Sequence, residues 1–200
     1  CVTALLLPLN GLLVKLATLS VPDGKQEEKP VLLDERLLAT PAVAIQRSQD
    51  IATRMAEDSA QAMRLAMGLI RKFDRKSLDR VLELENNTDR YEDALGTYLV
   101  QLSSRSLSVA DSRILNTLLY TISDVERIAD HAVNVGKAAL EMEEKKIVFS
   151  QQAQGELEVL ERAVSDILGR TVEAYRSFDR ELARKVEPQE QVVDALVREI

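Results

Sequence analysis

Beyond Thr40 the apolar residues recur at steps of three and four, the period of helices that bury one stripe. Thr40-Pro41 reads as a cap followed by proline at the first helical position. The first stripe runs Ile51, Met55, Ala62, Ala66, Ile70 and Phe73, and a break is expected around Asp74–Ser77. The second runs Val81, Leu84, Thr88, Tyr91, Leu95, Tyr98 and Leu102. Ser108, three residues before Asp111, starts a third helix with the seam Leu115, Leu118, Ile122, Val125, Ala129, Ala132 and Gly136. The fourth seam is Ala153, Leu157, Leu160, Val164, Ile167, Thr171, Ala174 and Phe178. A fifth helix is expected from about Asp179 through Leu182, Val186, Val193 and Leu196. Narrow stripes of this kind belong to long antiparallel bundle helices, and no segment alternates with period two for long. The fold class is all-α.

Residues 1–21 differ in character. They carry one charge, Lys15, and as a helix would span about 31 Å, roughly a bilayer core. The expected role is the end of a transmembrane region; a buried or interfacial helix and a signal remnant are the other readings, and Pro8, Asn10 and Gly11 weaken a simple span. Residues 22–39 read as a polar linker, with a turn at Pro22-Asp23-Gly24 and Pro30 against a continuous helix. Lys25 and Lys29 put this side in the cytoplasm if residues 1–21 cross a membrane. The chain does not begin with Met, and it is read as a fragment.

Composition narrows the chemistry. Aromatics are 4% with no Trp, unlike a β-sandwich. One Cys excludes a disulfide within the chain and a Cys-based zinc site, and one His excludes a His-rich metal site. The net charge of −7 argues against nucleic acid as the main partner and suits cations.

An offset of 105 residues superimposes two parts of the chain. Phe73-Asp74-Arg75 matches Phe178-Asp179-Arg180, Val81 matches Val186, Glu85 matches Glu190, and Asp89 matches Asp194. The helix break falls at the same place in both copies. The expected organisation of residues 40–200 is two three-helix units in tandem, about 41–140 and from about 150, the second without its third helix.

The repeated element is Glu-x-x-x-Asp: Glu85 with Asp89, and Glu190 with Asp194. Carboxylates four apart share a helix face and repel, a cost that a hard cation reverses; a solvated acidic face is the plainer alternative. Glu92 extends the first stripe by a turn. On the third helix Asp130 is a candidate ligand, with Arg127 and Asn134 as groups that orient carboxylates; an ion-paired surface, Arg127 answering Asp130 or Asp124, is again the alternative. His131 reads as a surface or interface histidine. There is no phosphate-binding Gly-rich loop and no nucleophile elbow, so nothing points to an enzyme.

The run Asp124-Val-Glu-Arg-Ile-Ala-Asp-His-Ala-Val-Asn134 closely resembles the third-helix signature of PhoU-type domains, and the two acidic pairs resemble that family's paired acidic motif. The stretch from Leu33 to Pro41, after a hydrophobic span, looks like the junction in bacterial sodium-dependent inorganic phosphate cotransporters with a C-terminal PhoU-like domain. The resemblance implies a PhoU-like pair of three-helix bundles. It implies that Glu85, Asp89, Asp124, Asp130, Glu190 and Asp194 stand where some members hold divalent or ferric metal ions. It also implies a regulatory domain facing the cytoplasm at the inner (plasma) membrane. Its partners would be a sodium- and phosphate-binding transporter core outside these residues and, in addition, a second copy in a homodimer. The alternative is a soluble PhoU-like metal-binding regulator acting through protein partners. Pro188, early in the fifth helix, departs from the pattern and should start or kink that helix.

Overall fold

The computed structural model describes residues 33–199, and the hydrophobic segment 1–21 and most of the linker lie outside them. A 3-10 turn at Glu35–Ala39 leads into α1 (Pro41–Arg71), α2 (Arg75–Ser103), α3 (Val109–Lys145), α4 (Gln151–Ser177), a single turn α5 (Arg180–Ala183) and α6 (Val186–Glu199). Among the described residues every regular element is helical, and no helix is long and apolar enough to cross a membrane.

Helices α1, α2 and α3 pack on one another as an antiparallel bundle. Alternating small and large residues fill it. α1 buries Ala44, Ala52, Ala56, Ala60, Ala62 and Ala66, and α2 and α3 supply Leu84, Leu95, Leu99, Leu102, Leu115 and Ile122. The buried serines and threonine need no partner from another helix: Ser48, Ser59 and Thr88 each donate to the carbonyl four residues back, at 2.9 Å. The predicted stripes of α2 and α3 are the buried ones, apart from half-buried Tyr91.

The second unit is more open. α4 lies on α1, and α6 and α5 lie on α4. Of the predicted fourth seam only Ala174 is buried; the others are half-buried or exposed, and Phe178 is 59% exposed in a left-handed conformation.

The boundaries follow local chemistry. Asp74 caps α2 by accepting from the Ser77 N–H at 2.9 Å and its hydroxyl at 2.8 Å. Asp179 caps α5 at the repeat offset, accepting from the Glu181 and Leu182 N–H groups. Ser108 and Ser150 cap α3 and α4. Two expectations are corrected, and a third, the interruption expected from Pro188, is met. Thr40 stands at the cap position of α1, but its hydroxyl donates backwards to the Leu37 carbonyl instead of accepting from α1. The linker is structured from residue 35: Leu38 is buried, and the Tyr98 hydroxyl donates to the Asp34 carbonyl at 3.2 Å. The fifth helix is split at Arg184-Lys185, whereas α2 runs unbroken through the matching positions. Pro188 occupies the place of Glu83, has no N–H to give, and its ring crowds the carbonyl of residue 184. The helix restarts at Val186, with Pro188 inside the first turn where the missing donor does no harm.

Candidate functional site: an acidic stripe across α2 and α3

Glu85, Asp89 and Glu92 form one stripe along α2 because they are spaced by four and three. Glu126 and Asp130 form the facing stripe on α3. The two meet electrostatically. The Glu85 carboxyl is held above its ordinary range, first by desolvation, then by Asp130 and Asp89, with Lys137 opposing. Glu126 is also raised, first by desolvation and then by Glu92, Asp130, Asp89 and Glu85. Ser123 on α3 donates to Glu92 Oε1 at 2.7 Å and ties the stripes together.

Of the sequence-predicted residues, the structure therefore brings Glu85, Asp89, Glu92 and Asp130 to one surface. Asp124 is not brought with them: it lies six residues before Asp130, well off that face, with a side chain 73% exposed and Arg127 at 3.7 Å. Arg127 thus answers Asp124, the plainer of its two readings. His131 and Asn134 are exposed. Glu190 and Asp194 sit exposed on α6, which packs on α4 and α5, not on α2 or α3, so the two acid pairs do not converge here.

Glu126 was not among the predicted residues. Its signal was present, since Glu126 and Asp130 repeat the Glu-x-x-x-Asp spacing of Glu85 and Asp89.

Four to five carboxylate groups without a sulfur or imidazole donor suit a hard cation in kind. Their placement does not yet make a cage: no group of three or more acidic, His or Cys side chains is positioned to hold a metal ion among the described residues. What the arrangement does chemically is concentrate negative charge, partly desolvated, on an exposed seam between two rigid helices. It offers no nucleophile–base pair.

A second feature lies between α1, α3 and α4. A small cavity of about 70 Å³ is lined by Ala56, Ala60, Val125, Ile128, Val172 and Tyr175, among others. The buried Tyr175 hydroxyl finds no partner among the described residues, and desolvation pushes its pKa up to about 12.

Residues 52–139, from the second third of α1 to the last turns of α3, match the family model of the PhoU domain. The phosphate-specific transport system accessory protein PhoU homolog of Xylella fastidiosa (strain 9a5c) is 25% identical over 142 residues, which cover 71% of this chain and 59% of the relative. The homolog of the same name from strain Temecula1 / ATCC 700964 is 24% identical over 142 residues, 71% of this chain and 58% of its own length. The chain thus spans less than two thirds of the length of the curated relatives it matches. No solved structure matches it.

Proposed function

We propose, taking the PhoU-domain match over residues 52–139 as premise, that the chain is a regulatory helical module of inorganic phosphate uptake that acts by binding and not by catalysis. One observation carries this reading: the matched segment contains both halves of the acidic stripe, Glu85-Asp89-Glu92 and Glu126-Asp130. The two relatives are named as accessory proteins of phosphate transport, which supports a transporter as the partner.

In its fuller form the module is the cytoplasm-facing domain of a sodium:inorganic phosphate symporter in the inner (plasma) membrane, with residues 1–21 closing the membrane part. The hydrophobic run and the junction at Leu33–Pro41 support this form. The alternative is a soluble regulator of the same pathway with protein partners. A reporter fused to residues 1–21 separates them: recovery in the membrane fraction supports the symporter, recovery in the cytosol the soluble regulator.

The stripe would hold a divalent or ferric ion through Glu85, Asp89 and Asp130, with Glu126 beside them, and a second set on α6 would use Glu190 and Asp194. A cation there would relieve the carboxylate repulsion that, after desolvation, raises Glu85 and Glu126. Metal analysis of the purified chain beside Glu85→Gln/Asp89→Asn tests it; equal metal in both refutes the site. The regulatory reading itself is tested by phosphate uptake in phosphate-replete cells. Deleting the gene or introducing Glu85→Gln/Asp89→Asn/Asp130→Asn should change the uptake rate several-fold, and uptake unchanged by deletion refutes regulation.

A further inference from the structure

The end of the first bundle where the α1–α2 turn meets the α3–α4 loop turns bulky apolar residues outward. Ile147, Val148 and Phe149 are 49%, 82% and 36% exposed. Lys146, just before them, closes α3 in a left-handed conformation (φ 55°), its N–H shared between the Glu143 and Met142 carbonyls. Ile147, Val148 and Phe149 also form one side of a groove of about 520 Å³ between the last turns of α1 and α3 and the start of α4, with Leu69, Ile70, Phe73, Met142 and Leu157 in its other walls.

Charge reverses sign around the tip. The chain as a whole is at −7, yet its outermost turns here carry six cations, Arg71, Lys72, Arg75, Lys76, Lys145 and Lys146, against the carboxylates Asp74, Glu143 and Glu144. Arg71, Arg75 and Lys145 are held by Glu161, Asp79 and Glu141, which lie further from the end. Asp74 is committed to its cap. Lys72, Lys76 and Lys146 are exposed and form no salt bridge among the described residues. Glu143 and Glu158 flank the groove wall.

We propose that this end docks on an anionic lipid surface. Val148, with Ile147 and Phe149, enters the boundary between headgroups and acyl chains, while Lys72, Lys76 and Lys146 meet the lipid phosphates. Exposed apolar side chains beside lysines that no carboxylate holds suit an anionic bilayer, which takes the apolar groups below its phosphates and the ammonium groups at them. The inference rests on this end of the bundle alone and stands apart from the reading of residues 1–21 and of the acidic stripe.

The absence of Trp from the chain makes the test site-specific. Val148→Trp in the full chain places a single fluorophore at the tip, and Tyr120→Trp places one on a 78%-exposed position of α3, from which the helix runs about 38 Å to its end at Lys145. With vesicles of mixed phosphatidylcholine and phosphatidylglycerol, the Val148→Trp emission should shift to the blue and be quenched by brominated acyl chains; the Tyr120→Trp emission should do neither. Adding Lys72→Glu/Lys76→Glu to Val148→Trp should weaken the vesicle titration by about tenfold or more. Thermal unfolding of each variant checks that the bundle is intact. Three results overturn the proposal: no shift with any vesicle, an equal shift with pure phosphatidylcholine, or equal responses at the two positions. A tip that responds only to an added protein and never to lipid also overturns it, and assigns the groove to a protein partner.

Discussion

Gly136 on α3 stands against Leu78 on α2 so closely that a Cβ at position 136 would lie 2.8 Å from Leu78 Cδ1, with Leu69 and Val81 methyls at 3.9 and 4.0 Å behind it. Leu78 is 3% exposed and has little room to swing away. The glycine therefore sets how near the two helices that carry the acidic stripe can come.

Substituting it should cost stability in proportion to bulk. Gly136→Ala gains helix propensity but overpacks the contact, for a net loss of about 1 kcal/mol, and Gly136→Val should lose about 3 kcal/mol. Gly155, in α4, has nothing within 4 Å of its built Cβ, so Gly155→Ala should stabilise by about 0.5–1 kcal/mol. Urea unfolding of the three variants checks the order.

The raised carboxyls of Glu85 and Glu126 predict a slope of stability with pH. Each has a folded-state pKa above its unfolded value, near 4.5, so the folded state holds more protons between the two. Their ionisation opposes folding: stability falls as pH rises through the folded values and is regained on acidification towards 4.5. Glu85→Gln/Glu126→Gln should flatten that slope and be more stable than the parent at pH 7. Chemical denaturation at several pH values reads it directly.

The break between α5 and α6 should close when its cause is removed. Pro188→Glu installs the residue type that the first repeat has at position 83, and α5 and α6 should merge into one helix like α2. More ellipticity at 222 nm (~ the helix minimum) and slower amide exchange at Lys185–Val186 are expected. An unchanged spectrum would place the cause elsewhere in the second unit.

Tyr175 carries a buried hydroxyl with no hydrogen-bond partner among the described residues. Tyr175→Phe keeps the ring packing, including its tilted contact with Phe178 at 6.4 Å, and removes the desolvated group. A gain of about 1 kcal/mol in unfolding free energy is expected. A loss would show that the hydroxyl is hydrogen-bonded in solution.

Much of this architecture is legible in the residues. The seams of α2 and α3 are regular because each faces two partners, and side-chain periodicity reports a buried stripe. The α4 seam has the same period but is mostly half-buried, since periodicity says which face is apolar and not whether anything lies on it. The capping aspartates Asp74 and Asp179 are legible in the sequence as matching positions of a repeat. Asp124 and Glu126 show the opposite case. Both belong to the same short run, but a helix turns 100° per residue, so only Glu126 shares the Asp130 face. The separation of Glu190 and Asp194 from Glu85 and Asp89 depends on where α6 packs, and a repeat in the chain carries no such distance.

One consequence concerns α1. It touches α2, α3 and α4 at once, and its contact surface is largely methyl groups and short hydroxyls. Short side chains in a close-packed contact leave little slack. A small roll or slide of this rod, started by any one neighbour, is felt by the rest, so the second unit has a mechanical line to the seam where the carboxylates gather.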